Sequence, residues 1–371
     1  MVDKVISNAY IWYSGATDVT GKKLAESLGC KHGDKMPALK DVCAVIGWGV
    51  KTKDPVTLGG IPVLNSPNQI NLNRNKVAAL IAMAAAGVNV APFVETGNVK
   101  IVDNHLKAGV ILPVIGRTNY HQGGKGFWHC PTMTHVRAAI DEGAGYFQNL
   151  IEIKDEFRLH TVGDKVIYAV KKVKRTVEEM EDAYIKQETE RQESLAAKNN
   201  QTLDKTTMEV FLRRQAKKFA QDGANMLIRS NRLGWKFMHV KTVDKNLEAE
   251  AVKALKAIGL DFGAVDCCID AAGKAWVIEV NSGPGLEETS FNIWVEALRS
   301  KINGFFQPVA DSKANKETKS KETTLVAKTK VAGASVKQSL AEKVKLMSEM
   351  VEKADEEETT VLNSIFKKMF G

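Results

Sequence analysis

Residues 261–286 read DFGAVDCCIDAAGKAWVIEVNSGPGL in one-letter code, and this stretch decides the fold. Two apolar runs, Gly263–Asp270 and Ala275–Val280, flank a four-residue turn at 271–274. Apolar runs separated by a short turn that contains glycine predict a β-hairpin. The second run leads into the irregular turn Gly283-Pro284-Gly285. A strand pair that ends in a glycine-rich loop is therefore the element from which the rest of the chain is interpreted.

Three polar side chains interrupt this apolar hairpin. Asp266 lies inside the first strand, while Glu279 and Asn281 are two residues apart on the second and so point to one face. Unpaired carboxylates at a buried sheet position are costly, and neighbouring ones repel each other. We therefore expect a divalent cation to neutralise them, and oxygen ligands with space left for phosphate favour Mg²⁺. The alternative is a surface hairpin whose acids face water.

Upstream of the hairpin, strand-like and helical patterns alternate. Short runs between residues 9 and 65 predict a small α/β layer, and further strands are predicted at Tyr146–Ile153 and Met226–Arg229. The glycine-rich segment 121–126 separates two strand-like runs. Glycines let backbone N–H groups approach phosphate oxygens, although a plain flexible hairpin is an equally good interpretation. Residues 176–222 are rich in Glu, Lys, Gln and Arg, which indicates a helical insertion.

Composition excludes several classes of protein. The 371 residues are 44% hydrophobic and 26% charged, as in an ordinary globular protein and unlike a disordered or collagen-like chain. No apolar stretch reaches the roughly 20 residues needed to span a bilayer, so we expect no membrane contact. The N-terminal residues 1–6 lack the pattern of a secretory signal, which favours the cytoplasm.

Five cysteines without C-x-x-C spacing suggest neither a disulfide framework nor a zinc site. The net charge of +8 makes a nucleic-acid partner possible, but the lysines are dispersed, so this partner is not favoured.

The hairpin, the glycine-rich loop and the segments between them resemble, in this order, the ATP-grasp superfamily. The resemblance is to its carboxylate-amine ligases and to the ATP-grasp proteins often encoded by bacteriophages, whose products would lie in the host cytoplasm. It spans residues 11–298, and its most specific part is the run 279–285, EVNSGPG. It implies an α+β fold in which an N-terminal α/β layer precedes two α+β subdomains that grip ATP, and it implies ATP and Mg²⁺ as cofactors.

The same resemblance implies how the chain is divided into domains. A C-terminal tail lies beyond the residues that the resemblance covers. Leu340, Val344, Met347 and Val351 lie at helical spacing in that tail, which predicts an apolar stripe that forms a homo-oligomer or docks a partner, or else folds back on the catalytic core. The expected segments are an N-terminal α/β domain at 1–75, a small ATP-grasp subdomain with the glycine-rich loop at 76–148, a C-terminal ATP-grasp subdomain at 149–308 that carries the helical insertion 176–222, a flexible linker at 309–335, and an amphipathic helical tail at 336–371.

Candidate site residues follow from positions that match the family's motifs. Arg158, Lys172 and Arg229 are implied to be catalytic because they stand where relatives hold the transferred phosphate or the substrate. An exposed charge at Arg158 and a solvated basic face around Lys172 are the alternatives. The metal ligands implied are Asp266, Glu279 and Asn281. The residues implied to bind ATP are Arg117, which replaces a lysine common in relatives, the loop glycines Gly123, Gly124 and Gly126, and the hinge residues Gln148, Asn149, Leu150 and Ile151.

The implied reaction is an ADP-forming C–N ligation. The γ-phosphoryl group of ATP passes to a carboxylate, and an amine then attacks the acyl phosphate. The expected substrates are a small-molecule or peptide carboxylate and an amine such as an amino acid, a peptide or a similar acceptor. Two alternatives stay open: a small-molecule kinase on the same scaffold, and a nucleotide-binding assembly protein with a basic interaction tail.

Overall fold

The computed structural model describes residues 6–97, 110–121, 125–199 and 205–305. These ranges belong to one compact unit, Met1–Phe306, whereas a second unit, Gln307–Gly371, lies outside the described residues together with the linker and tail predicted there. No helix in the described ranges is both long and apolar enough to cross a membrane. The domain boundaries given above stay a prediction.

A four-stranded parallel sheet forms the N-terminal layer. Its strands are β1 (Ala9–Tyr13), β2 (Lys31–Gly33), β3 (Ala44–Trp48) and β4 (Val63–Leu64), in the order β2-β1-β3-β4. Helix α1 (Val19–Leu28) joins the first two strands. The Asp18 side chain caps its N-terminus, and Gly29 ends it in the left-handed conformation, which glycine adopts without steric cost.

A second, antiparallel sheet follows two short helices. Helices α2 (Pro67–Arg74) and α3 (Lys76–Ala85) lead into it. Helix α4 (Met133–Asp141) packs on this sheet, and their shared core contains Val114, Val136 and Phe147. The strands are β5 (Phe93–Glu95), β6 (Val114–Arg117), β7 (Phe127–Cys130) and β8 (Tyr146–Asn149), in the order β5-β8-β6-β7.

The largest sheet has five antiparallel strands. These are β9 (Ile153–Val162), β10 (Lys165–Lys174), β11 (Trp235–His239), β12 (Phe262–Asp270) and β13 (Ala275–Asn281), in the order β11-β10-β9-β12-β13. Four helices accompany them. Helices α5 (Val177–Lys198) and α6 (Lys205–Asp222) form the predicted insertion, α7 (Lys245–Ile258) follows β11, and α8 (Glu288–Phe305) follows β13. Leu255 of α7 packs with Leu159 and Val265, which lie on one face of the sheet.

Two strand predictions are wrong. The run Tyr146–Ile153 is not one strand, because β8 ends at Asn149 in the small sheet and β9 begins at Ile153 in the large one. The Leu150 N–H still donates to the Pro113 carbonyl beside β6, and the chain then crosses to the large sheet before Ile153. Residues 226–229 form a loop, since the Asn225 side chain accepts the backbone N–H groups that a sheet partner would otherwise bind.

Asn65 joins the N-terminal layer to the large sheet. It is fully buried and has a positive φ of 51°, which asparagine tolerates better than most residues. Its side chain accepts the backbone N–H groups of Asp261 and Phe262 and donates to the Phe262 carbonyl. The Asp261 carboxylate in turn accepts the Asn65 N–H. This reciprocal set of bonds fixes the start of β12 against the end of β4.

A buried histidine lies where α8 covers the other face of the large sheet. The Trp294 indole N–H donates to Nδ1 of His160 at 2.9 Å, and Tyr168 meets the same imidazole edge to face. Burial, and after it the positive charge of Arg158, lowers the pKa of His160 to about 4. A proton on Nδ1 would also displace the Trp294 bond. The imidazole is therefore neutral in the folded protein at neutral pH.

The free energy of unfolding should fall by up to about 3 kcal/mol as the pH drops from about 6.5 to about 4. In this window the unfolded chain protonates His160 and the folded chain does not, so the unfolded state binds more protons and stability rises with pH. Denaturant unfolding of the wild type and of His160→Gln at a series of pH values measures the effect. The variant lacks this titrating group and should show a smaller dependence, whereas equal dependence would contradict the assignment.

Candidate functional site

An open cavity of about 850 Å³ is lined by both antiparallel sheets, by helices α2 and α3, and by the N-terminal layer. Ser14, Gly49 and Lys51 are the contribution of the N-terminal layer. The turn after β13 closes in on this layer, since a Cβ on Gly283 would lie only 2.7 Å from the Gly49 nitrogen. Glycine is therefore required where the two backbones meet.

A row of charged side chains crosses the large sheet and faces the cavity. Asp266 of β12 pairs in register with Arg158 of β9 and with Glu279 of β13. Arg158 donates two hydrogen bonds to Asp266, from Nε at 2.6 Å and from Nη2 at 2.8 Å. The Lys76 ammonium lies 2.9 Å from Glu279 at the far end of the row. In the order Arg158, Asp266, Glu279, Lys76, the two acids thus lie side by side with one basic group at each end.

The ion pairs determine the charge states in this row. Burial would raise the pKa of Glu279, but Lys76 and then Arg158 outweigh it and hold the pKa below its ordinary value. Burial disfavours the charged form of Arg158, and the Asp266 carboxylate more than compensates, so the pKa of Arg158 is raised. Arg158 and Glu279 are therefore charged at neutral pH.

A second charged group lies beside this row on the same sheet. Lys172 donates to the Glu156 carboxylate, and Nε of Arg229 lies 3.9 Å from the same carboxylate. Burial raises the pKa of Glu156, an effect that Lys172 opposes. Arg229 also donates to the Ile153 carbonyl at 2.6 Å and lies over the Trp235 ring. Both cationic side chains are held in place before any ligand binds.

On the small sheet, Arg117 is part of a hydrogen-bonded chain. Its Nη2 lies 2.6 Å from Nδ1 of His121, whose Nε2 lies 3.2 Å from the Tyr146 hydroxyl. Burial, and after it the charge of Arg117, lowers the pKa of His121 to about 3, so the imidazole is neutral and Nδ1 can accept from the guanidinium. Arg117 also donates from Nε to the Gly126 carbonyl, which ties it to the glycine-rich loop.

The crossing between the two sheets forms another part of the wall. Residues 148–151 line the cavity together with the apolar side chains of Leu80, Met83 and Ile115. The Asn149 N–H donates to the Pro92 carbonyl at 3.0 Å, and its side chain accepts the Ile111 N–H. A flat apolar wall beside a backbone segment held in this way suits a planar heterocycle.

The predicted metal ligands fit a magnesium ion that is shared with a phosphate ligand. Asp266, Glu279 and Asn281 all line the cavity, and each carries a side-chain oxygen of the kind that magnesium binds. In the described part of the chain, no three His, Cys, Asp or Glu side chains cluster closely enough to hold a metal. Magnesium is commonly bound through one or two carboxylates together with substrate phosphates. The donor set fits that pattern, and the ligand assignment itself stays a prediction.

One premise of the sequence argument is wrong. The two carboxylates were expected to be unpaired and to need a cation, but each has a basic partner: Arg158 for Asp266 and Lys76 for Glu279. Sequence reasoning missed Lys76 because this residue is far from the hairpin in the chain and belongs to none of the motifs that indicated the site. A lysine in the first helical turn is electrostatically unfavourable, and this was the available signal.

The cavity brings together most of the residues predicted from the sequence. Gly126 is adjacent through its bond to Arg117, whereas Gly123 and Gly124 lie outside the described residues. Tyr146, His121 and Glu156 were not predicted as site residues, since their roles depend on pairing between strands that are distant in sequence. The predicted residues that line the cavity are Arg158, Lys172, Arg229, Arg117, Gln148, Asn149, Leu150, Ile151, Asp266, Glu279 and Asn281.

Comparison with known proteins identifies the fold. Residues 159–302 match the family model described as RimK-like ATP-grasp domain, which covers less than half of the chain. No curated protein sequence matches the chain. The expected mixed α+β, ATP-grasp architecture is confirmed by this match and by the solved structures that resemble the chain.

Two of the similar solved structures are of ATP-grasp enzymes. One is the ATP-grasp ligase PsnB complexed with minimal precursor, Mg and ADP, with 12% identity, a TM-score of 0.52, and coverage of 80% of this chain and 97% of that one. The other is N5-carboxyaminoimidazole synthetase from Staphylococcus aureus complexed with ADP, with 13% identity, a TM-score of 0.54, and coverage of 81% and 78%. At these identities the similarity shows the fold. The bacteriophage part of the resemblance stays a prediction.

Asp266→Asn should lower the free energy of unfolding by about 3 kcal/mol, because it leaves the Arg158 guanidinium without a counter-charge in a mostly buried position. Urea denaturation measures the loss. The control is the double variant Arg158→Met, Asp266→Leu, which removes both charges and should recover most of the stability. Repulsion between unpaired acids would instead make Asp266→Asn as stable as the wild type, and that result would contradict the pairing.

Proposed function

We propose that the protein is an ATP- and Mg²⁺-dependent ligase that joins a carboxylate to an amine through an acyl phosphate and releases ADP. The observation that carries the proposal is the charged row Arg158, Asp266, Glu279, Lys76 at the wall of a large cavity in an ATP-grasp fold. The family match supports the same class of reaction, and the PsnB ligase structure, which holds Mg and ADP, supports the same cofactors.

Each part of ATP has a matching part of the cavity. The adenine would lie against the crossing residues 148–151 and the apolar wall beside them. The phosphates would lie towards Arg117 and the glycine-rich loop that its guanidinium contacts through Gly126. Asp266, Glu279 and Asn281 would hold Mg²⁺, which when bound neutralises phosphate charge.

The protein's side chains contribute positive charge that is held at fixed positions in the cavity. Phosphoryl transfer to a carboxylate forms one P–O bond, breaks the bond to ADP, and needs the charge of the transferred group to be stabilised. Arg158 has five N–H donors, and two of its nitrogens already donate to Asp266. Its remaining donors can bind the substrate carboxylate or the transferred phosphoryl group. Lys172 and Arg229 are fixed beside it, so little reorganisation is needed.

The second half of the reaction uses the same charges. When the amine attacks the acyl carbon, the carbonyl oxygen becomes an oxyanion, and phosphate leaves as the tetrahedral intermediate collapses. Arg158 and Arg229 are the guanidinium groups proposed to stabilise that oxyanion. No covalent enzyme intermediate is needed, because the acyl phosphate already carries the activated carboxylate.

The identity of the substrates is a finer part of the proposal. Lys51 and Arg74 line the cavity and give it positive charge, which suits a carboxylate substrate. A peptide substrate is favoured because PsnB, which resembles this chain in fold, has been solved with its precursor peptide. A cytoplasmic location and an oligomeric or docking role for residues 336–371 also stay predictions.

Inorganic phosphate should be released from ATP only when Mg²⁺, a carboxylate and an amine are all present. Pairs of amino acids, dipeptides and polyamines are screened for ADP and phosphate, and active pairs are examined by mass spectrometry for loss of one water between the two substrates. Arg158→Met should abolish release because it removes the guanidinium proposed to bind the reacting groups. Arg213→Met is the matched control, since Arg213 lies exposed on α6 and pairs only with Glu209 among the described residues.

Two outcomes would count against a ligase. ADP formation with a phosphorylated hydroxyl product and no free phosphate would identify a kinase. Phosphate release that Arg158→Met leaves intact would remove Arg158 from the mechanism.

A further inference from the structure

A second, smaller pocket lies between helices α5 and α6 of the insertion and the loop that precedes β11. Its volume is about 130 Å³. The rings of Tyr184 and Phe219, whose centroids are 5.3 Å apart, form part of its wall. Pockets that enclose whole ligands are several times larger, so this one has the size of a subsite for a single chemical group.

Three arginines line this pocket: Arg175, Arg191 and Arg232. Arg191 is paired with Glu188, which is also in the wall, at 2.8 Å. Within the described ranges Arg175 and Arg232 have no ion-pair partner, and the nearby Glu179 is paired with Lys236. Nε of Arg175 is buried and has no hydrogen-bond partner among the described residues. The pocket therefore has surplus positive charge and a buried donor that is not satisfied.

The pocket adjoins the large cavity through one residue. Asn231 lines both, and its side-chain oxygen accepts a 2.7 Å hydrogen bond from Gln187 of α5. Arg229, two residues earlier in the same loop, lies in the large cavity beside Glu156. A molecule whose reacting end is at Arg229 could therefore reach the arginines behind Asn231.

We propose that this pocket binds one anionic group of the substrate, a carboxylate or a phosphate, remote from the reacting end. Two unpaired guanidinium groups suit either oxyanion, because both accept forked hydrogen bonds. That the group belongs to the substrate rests on the proposed ligase function, whereas anion binding itself does not. The insertion would then select substrates that carry a second negative charge.

Calorimetric titration of the full chain tests the site, with Mg²⁺ and a non-hydrolysable ATP analogue present so that phosphate positions in the large cavity are filled. The probes are inorganic phosphate, glutarate and the neutral glutaramide. We expect one or both anions to bind and glutaramide not to bind. The two anionic probes distinguish a phosphate site from a carboxylate site.

The double variant Arg175→Met, Arg232→Met should weaken anion binding roughly tenfold or more, as expected for lost charge-assisted hydrogen bonds. The matched control is Arg213→Met, Arg214→Met, which removes the same charge from α6 residues that do not line the pocket. It should leave anion affinity within about twofold, since no direct hydrogen bond is lost. If the first variant does not fold, Arg232→Glu at its exposed position serves instead, and it should also weaken anion binding roughly tenfold or more.

Absence of anion binding by the wild type, or equal affinity in all variants, would overturn the site. Equal weakening in both double variants would also overturn it, because net charge alone would then account for binding. Anion binding that depends on Arg175 and Arg232, in a protein that shows no ligation, would keep the anion site and reject the substrate interpretation.

Discussion

Two carboxylates that face each other across neighbouring strands impose the constraint on which the rest of the site depends. Asp266 and Glu279 are paired in register, and like charges at such positions are destabilising. The fold meets this constraint from two directions. Arg158 reaches Asp266 from the next strand of the same sheet, whereas Lys76 reaches Glu279 from helix α3, which precedes the small sheet. The ion pairs that offset the repulsion between the two acids therefore also connect the two sides of the cavity.

The cavity exists because one face of the large sheet is only partly covered. Helix α7 fills the opposite face, where Leu159 and Val265 are fully buried. On the cavity face, α8 covers the end of β9 that carries His160 and leaves open the end that carries Glu156 and Arg158. Along β9, an apolar covered end thus passes into a charged open end within a few residues. The residues that face the cavity and the residues that pack in the core therefore occupy different positions along the same strand.

The sequence predicted the elements of this architecture better than their connections. The hairpin that contains Asp266 and Glu279 was predictable, because its two apolar runs, its turn and its glycine-rich exit are all local signals. The break at residues 150–152 was not, since it depends on which sheet each half of the run joins: Asn149 pairs with Val114 in the small sheet, and Ile153 pairs with Asp270 in the large one. The segment 226–229 has the composition of a strand, but it forms a loop in which the Asn225 side chain accepts two backbone N–H groups.

In the site, too, the residues were easier to predict than the contacts between them. Residue types and family motifs indicated Arg158, Arg229 and the acids of the hairpin, but not their partners. Pairing with Lys76 depends on where α3 lies relative to β13, and the chain from Arg117 through His121 to Tyr146 depends on strand register. Both are tertiary facts, and the one local signal, a lysine in the first turn of α3, does not reveal which acid that lysine pairs with. The charge balance of the site could therefore not be derived from the sequence, and the inference that the acids lack partners was wrong for this reason.

If the hairpin acids bind Mg²⁺ together with the phosphates of ATP, the affinity for ATP must depend on both the metal and the acids. Calorimetry can measure ATP affinity with and without Mg²⁺, in the wild type and in Glu279→Gln. We expect Mg²⁺ to tighten ATP binding in the wild type and this gain to be largely lost in the variant. Equal ATP affinity with and without Mg²⁺ in the wild type, or an undiminished gain in Glu279→Gln, would rule out metal binding by these acids.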